Sequence, residues 1–193
     1  EIEERIRSAI HDQRLGSALV DDALYAAELA RGLDRPRYEV DGLFDRADRI
    51  AMRHGTDRQR VEVAYQRAWT TYWWFEDEDA LDEQYAEVEA RVKGSRNAYD
   101  LERLVNLWHL LHGTHARGRA GSKDLEERTA TLVTELDRLS QEVARPSTSL
   151  QAEAFLLKIH LAQRYASGAP LGPVLSDLRQ VVERARGLTG FPL

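Results

Sequence analysis

The 193-residue sequence contains no cysteine. This absence excludes disulfide bonds, a thiol nucleophile and a zinc site ligated by cysteine. No run of apolar residues approaches the ~20 that a membrane-spanning helix needs. The first residues, EIEERIRSAI, also lack the basic start and apolar core of a signal peptide. We therefore expect a cytoplasmic protein with no membrane contact.

The sequence also lacks an excess of basic residues. The chain has 27 Lys and Arg against 33 Asp and Glu, which gives a net charge of −6 and a pI near 5.6. A surface that binds nucleic acid needs a clustered basic excess, so the composition predicts no nucleic-acid binding by this segment. A chain of this length with 42% hydrophobic residues can bury a sizeable core. One domain is the expected organisation.

No stretch alternates apolar and polar residues for long enough to predict a β-strand. Apolar residues instead recur at helical spacing in nine segments, and the central pair spans Val61 to Ala90. At ~100° per residue, its first helix has an aromatic face that we expect to pack in the core, and Trp74 points to the opposite side. The residues of the aromatic face are Tyr65, Ala68, Trp69, Tyr72 and Trp73.

An acidic turn follows this aromatic helix. It consists of Glu76, Asp77, Glu78 and Asp79. Carboxylates favour the start of a helix, where unpaired N–H groups and the helix dipole attract negative charge. A second helix then has apolar residues at helical spacing, and the two segments are predicted to form an antiparallel hairpin.

The spacing of these residues resembles the tetratricopeptide signature. The matching positions are Tyr65, Ala68, Trp69 and Tyr72, followed by Leu81, Tyr85 and Val88. Trp69 stands where that family has a small Gly, and Leu81 where it has Ala. The pattern repeats loosely at an offset of 41 residues, which aligns Phe44 with Tyr85 but places Glu28 on Trp69. The resemblance implies an all-α, tetratricopeptide-like α-solenoid of about nine helices in antiparallel hairpins, with a compact bundle as the competing architecture.

Several helix ends are predicted from capping residues. Thr56-x-x-Gln59 and Thr148-x-x-Gln151 have capping-box spacing. Asn97 is a predicted N-cap. The first capping box should start the aromatic helix, and the second should start a helix near residue 150.

The glycine-rich stretch from Gly113 to Ser122 is predicted to be a loop. It should follow a helix over Ala98 to His112 and precede a long helix that is capped by Ser122 and ends near Ala144. The order of this loop is left open.

The histidines have the spacing that most resembles a metal site. His109 and His112 would lie ~60° apart on a helix, but His115 lies ~120° from His109 and beyond Gly113. We therefore predict no metal site. No serine lies in a nucleophile elbow, and paired carboxylates occur only within the acidic run. We predict no catalytic residue, no enzyme activity and no cofactor.

The resemblance implies that the chain binds a protein or peptide along the first helix of each hairpin. The expected partner-binding residues are Tyr65, Tyr72, Trp74, Glu76, Asp77, Glu78 and Asp79. The acidic residues would meet a basic segment of the partner, and the exposed Trp suits an interface. One alternative is a small-molecule sensor whose aromatic residues enclose a ligand. Another is a structural or dimerisation spacer, and the oligomeric state is left open.

The chain begins at Glu1 rather than Met. We expect residues 1–193 to be one helical-repeat domain of a larger multidomain protein, with a regulatory or signalling role and a bacterial source. The partner and the attached domains are not predicted.

Overall fold

The computed structural model describes residues 1–11, 16–118 and 124–188, with the side chains of residues 9–11 excepted. Within these ranges the chain forms nine α-helices and no β-strand, which confirms the all-α prediction. None of the helices in the described ranges is long and apolar enough to cross a membrane. The contacts divide the chain into two compact units, Glu1–Lys93 and Gly94–Leu193. The single-domain organisation stays a prediction.

The described residues of the first unit form five helices, and each packs against the next along the chain. In addition, α2 contacts α4. Gln59 near the start of α4 donates to Asp21 near the start of α2, and Arg31 at the end of α2 donates to Thr70 near the end of α4. The two helices therefore run parallel. The helices are α1 (Ile2–His11), α2 (Ala18–Gly32), α3 (Arg37–His54), α4 (Asp57–Trp73) and α5 (Glu78–Val92).

Alanines on α2 account for its close packing with α3. Ala23, Ala27 and Ala30 are almost fully buried, and small side chains let two helix backbones approach each other. Ala27 and Ala30 form one apolar cluster with Val40 and Phe44 of α3. The cluster around Ala23 contains Ile6, Leu19, Val20, Ala47, Ile50, Ala51 and Val63.

Side-chain caps begin three of the described helices, and the sequence predicts two of them. Thr56 and Gln59 form the complete capping box of α4, as the sequence predicts. The Asn97 side chain accepts from the Tyr99 N–H and caps α6, as predicted. Asp77 caps α5 by accepting from the Ala80 N–H at 3.1 Å.

Residues 94–118 and 124–188 of the second unit form four helices. Within it α6 packs against α7 and α8, α7 packs against α8, and α8 packs against α9. Its largest fully buried side chain is Trp108. The helices are α6 (Ala98–Ala116), α7 (Leu125–Ser140), α8 (Pro146–Ala166) and α9 (Gly172–Arg186).

The predicted loop from Gly113 to Ser122 is wrong in its first part, because α6 continues to Ala116. Thr114 is 1% exposed and extends the buried face of Leu111 by one turn. This burial outweighs the cost of about 1 kcal/mol for a glycine in a helix. Residues 119–123, including the predicted cap Ser122, lie outside the described residues.

The boundary between α7 and α8 also differs from the prediction. Helix α7 ends at Ser140 rather than near Ala144. Pro146 starts α8, since a proline at the first helical position lacks only an N–H that would have no partner in the helix. Thr148 therefore lies inside the helix, and the capping box predicted there is wrong.

Candidate functional site

The aromatic side chains of α4 form a continuous row that becomes more exposed towards the end of the helix. Ring centroids lie 5.6 Å apart for Tyr65 and Trp69, 5.8 Å for Trp69 and Trp73, and 5.0 Å for Tyr72 and Trp73. Tyr65 is 8% exposed and belongs to the core, whereas Trp73 is 53% exposed. The core prediction is therefore wrong for Trp73. Trp69 and Tyr72 are half-buried.

The end of α4 leaves Trp73 outside the core because smaller side chains take the buried positions. Thr70 and Thr71 are each 1% exposed. Thr70 donates to the Gln66 carbonyl and accepts from Arg31, while Thr71 accepts from the Gln84 side chain at 3.0 Å. These hydrogen bonds allow two hydroxyl groups to be buried where the apolar pattern alone would place aromatic rings.

Trp74 is 43% exposed, and one face of its ring is covered. The guanidinium carbon of Arg31 lies 4.2 Å from the ring centroid, a distance typical of a cation–π contact. Arg31 also donates to Thr70 Oγ1 at 2.9 Å and to Gln66 Oε1 at 3.4 Å. Trp73 and Trp74 are thus consecutive, partly exposed tryptophans. The Trp74 ring is also fixed by its contact with Arg31.

The acidic turn after Trp74 is fixed by an arginine from α3. Phe75 packs against the apolar cluster around Phe44, and the Arg37 guanidinium lies 5.2 Å from the Phe75 ring. Arg37 Nη2 donates to Asp77 Oδ2 at 2.7 Å. This hydrogen bond holds the pKa of Asp77 below its ordinary value. Asp77 also accepts hydrogen bonds from backbone N–H groups, which lower its pKa further. Asp77 therefore stabilises the turn through its contacts with Arg37 and the Ala80 N–H.

The other three acids of the turn differ in their surroundings. Glu76 and Asp79 are exposed, and Glu78 is half-buried. Glu76 has a φ of 51°, in the left-handed region that non-glycine residues seldom adopt. The turn therefore presents the side chains of Glu76 and Asp79 to solvent, two and five positions after Trp74 in the chain.

The sequence predicts seven residues for partner binding. Five of them, Trp74 and the four acids of the turn, lie together at the end of α4 and the start of α5. Tyr72 reaches this end of α4 through its contact with Trp73. Tyr65 begins the row two to three helical turns earlier, about 13 Å along the helix axis, and lies in the core. The binding role of all seven stays a prediction.

Charged residues that the sequence reasoning missed lie between α2 and α4. Burial raises the pKa of Glu28, Arg31 opposes this shift, and Glu62 adds to it. Burial lowers the pKa of Arg31, against the attraction of Glu28. Gln66 donates to Glu62 at 2.9 Å. The 41-residue repeat offset could have indicated these charged residues, because it aligns the charged Glu28 with the aromatic Trp69 of the next hairpin.

The histidines of α6 cluster around a buried tryptophan. The His112 ring stacks on Trp108 with centroids 4.7 Å apart, and His109 meets Trp108 edge-on at 5.0 Å. Burial lowers the pKa of His109 to about 4, with contributions from Lys158 and His112. Burial is the main cause that lowers the pKa of His112, and the nearby His115 lowers it further. Among the described residues no three His, Asp or Glu side chains converge on a possible metal position.

The geometry defines an all-α protein of packed helices that carries an exposed tryptophan pair beside an acidic turn. Comparison with protein families, curated proteins and solved structures finds no match to this chain.

Proposed function

We propose that the chain is a non-catalytic, tetratricopeptide-like interaction module of a larger regulatory protein, and that its first unit binds a basic segment of a partner. The binding surface, here called the tryptophan surface, consists of Trp73, Trp74, Glu76 and Asp79. The observation that carries this proposal is the exposure of two adjacent tryptophans, at 53% and 43%.

Exposed tryptophans support an interface because Trp is strongly enriched among residues that dominate binding energy. Trp73 presents more than half of its side-chain surface although its neighbours Thr70 and Thr71 are buried. Arg31 fixes the neighbouring ring of Trp74. A side chain that is already ordered loses less conformational entropy when a partner binds.

The charge of the first unit supports a basic partner. Residues 1–93 contain 22 Asp and Glu against 14 Lys and Arg, a net charge of −8, whereas residues 94–193 have 11 against 13, a net charge of +2. Glu76 and Asp79 are the exposed part of this negative charge that follows Trp74 within five positions of the chain. Charge complementarity of this kind increases the association rate and selects the partner.

The tetratricopeptide-like part of the proposal draws on the arrangement of the first unit. In stacked helical hairpins the first helices of successive hairpins lie side by side and run parallel. The Gln59–Asp21 and Arg31–Thr70 contacts give α4 and α2 this relation. The proposed binding surface lies at the end of α4, which is the first helix of its hairpin.

The test measures binding of fluorescein-labelled 15-residue peptides by fluorescence anisotropy. One peptide set combines Lys and Arg with spaced Leu, and a second set replaces the basic residues with Glu. We expect the full chain to bind members of the basic set and none of the acidic set. Trp73→Ser combined with Trp74→Ser should weaken binding at least tenfold, since tryptophans at such interfaces contribute ~2 kcal/mol or more.

Two variants make the test specific. Glu76→Ser with Asp79→Ser should weaken binding and reduce its salt dependence, and Asp77 is kept because it caps α5. Tyr99→Ser with Tyr165→Ser removes two exposed aromatic residues of the second unit and should leave binding unchanged. Equal binding by the tryptophan variant and the parent, or equal binding of acidic and basic peptides, contradicts the proposal.

A further inference from the structure

The second unit contains a groove of about 580 Å³ between α6, α7 and α8. Its buried or half-buried part includes His112, Leu125, Thr129 and Val133. Its rim is exposed and mostly polar, and consists of His115, Glu126, Ala130, His160 and Gln163. The volume lies within the 300–1,000 Å³ typical of sites for small organic molecules.

A rigid set of contacts next to the groove positions its polar groups. Trp108 is fully buried and donates from Nε1 to Thr129 Oγ1 at 2.7 Å, and Thr129 donates to the Leu125 carbonyl at 2.6 Å. The same indole stacks on the His112 ring. The Thr129 hydroxyl is therefore already engaged as donor and acceptor. The imidazoles and Gln163 are therefore the groups of the groove that can donate hydrogen bonds to a ligand.

The hydrogen-bond donors of the groove suit an anion, and more so at acidic pH. Among the described residues, three imidazoles line the groove against one carboxylate, Glu126, which is exposed to solvent. Imidazole donates hydrogen bonds when neutral and gains positive charge within the pH range 5–8. The groups that face His112 are His109 and His115 on α6, Glu126 on α7 and His160 on α8, while Lys158 of α8 faces His109.

We propose that this groove binds a small organic carboxylate with an apolar chain. The carboxylate accepts hydrogen bonds from the groove histidines, and the chain packs against Leu125 and Val133. A bound carboxylate offsets the burial that disfavours the charged form of His112, so binding takes up a proton. Such a ligand would make the second unit a sensor for an amphipathic acid, whereas the tryptophan surface belongs to the first unit.

The test uses octanoate with the full chain, in a background where Trp69, Trp73 and Trp74 are replaced by Phe. Trp108 is then the only tryptophan and reports on the stacked His112. We expect octanoate to change its emission with a saturable dependence. Acetate, which lacks the chain, and 1-octanol, which lacks the charge, should each bind at least tenfold more weakly. Affinity for octanoate should rise severalfold between pH 8 and pH 6.

His160→Gln tests the exposed side of the groove, where a substitution leaves the core unchanged. It should weaken octanoate binding severalfold, and His112→Gln with His160→Gln at least tenfold. His54→Gln, at an exposed position in the first unit, is the matched control and should bind as the parent does. Absence of a saturable signal, equal affinity for 1-octanol, a flat pH dependence, or unchanged affinity in His160→Gln each overturns the proposal. Peptide binding at the tryptophan surface is measured separately, so the two proposals fail independently.

Discussion

The Arg31 guanidinium lies over the Trp74 ring at 4.2 Å and donates to Thr70 Oγ1 at 2.9 Å. Arg31 is in the last turn of α2, whereas Thr70 and Trp74 are at the end of α4. One side chain thus links the ends of two parallel helices. Because Thr70 is 1% exposed, its hydroxyl depends on partners within the protein.

Arg31→Met should lower the free energy of unfolding by about 1–2.5 kcal/mol. The change keeps the aliphatic part of the side chain but removes a cation–π contact worth about 0.5–1 kcal/mol and a hydrogen bond worth about 0.5–1.5 kcal/mol. Urea unfolding followed by circular dichroism measures the difference. Arg49→Met at an exposed position is the control and should change stability by less than ~0.5 kcal/mol. Equal stability of the two variants contradicts a structural role for Arg31.

The sequence predicts the helices well because burial recurs every three to four residues along each of them. It predicts the burial of Trp73 wrongly. The periodicity of apolar residues indicates which face of a helix is buried, but not how far along that face the neighbouring helices extend. It misses Arg31 because the contacts of that residue span 35 to 43 positions along the chain. Gly113 is misread as a helix end, since the burial of Thr114 depends on tertiary packing.

The two capping boxes predicted from sequence should respond differently to mutation. Thr56→Ala should destabilise the protein by about 1 kcal/mol, because the Thr56 side chain accepts from the Gln59 N–H at 3.2 Å. Thr148→Ala should change stability by less than ~0.5 kcal/mol, since Thr148 lies within the first turn of α8 and serves as no cap. Urea unfolding of both variants measures this. A larger loss for Thr148→Ala would place the start of α8 where the sequence suggested.

Trp108 and Thr129 should show energetic coupling. Trp108→Phe leaves Thr129 without its indole donor, and Thr129→Val leaves the buried indole N–H without an acceptor. Each should cost about 1–3 kcal/mol, because a buried polar group is left unsatisfied.

The double variant should lose less stability than the sum of the two single variants, since it removes both polar partners at once. A double-mutant cycle from urea unfolding gives the coupling energy. The pair Trp108 and Ala130 serves as the reference cycle, with Ala130→Ser at an exposed position. Additivity within ~0.5 kcal/mol for Trp108 and Thr129 would show that their hydrogen bond contributes no net stability.

Glu142 should make the second unit sensitive to acid. Hydrogen bonds from Arg145 and Arg96 lower the pKa of Glu142 from 4.5 to about 2. The Arg96 bond is 2.5 Å long, and Arg145 also donates to the Arg96 carbonyl at 2.6 Å. Since the folded protein has the lower pKa, this stabilisation is complete above the ordinary pKa and is lost as the pH falls towards 2.

Glu142→Gln should therefore reduce the melting temperature at pH 7, with the difference from the parent shrinking below the ordinary pKa of 4.5 and becoming small at pH 2. Thermal unfolding at pH 7, 4 and 2 tests this sequence. Glu135→Gln removes a single ion pair with Arg138 on the exposed side of α7 and should have little effect at pH 7, because isolated surface pairs contribute little. A constant difference between Glu142→Gln and the parent from pH 7 to pH 2 would mean that the shape of the side chain, and not its charge, stabilises the turn between α7 and α8.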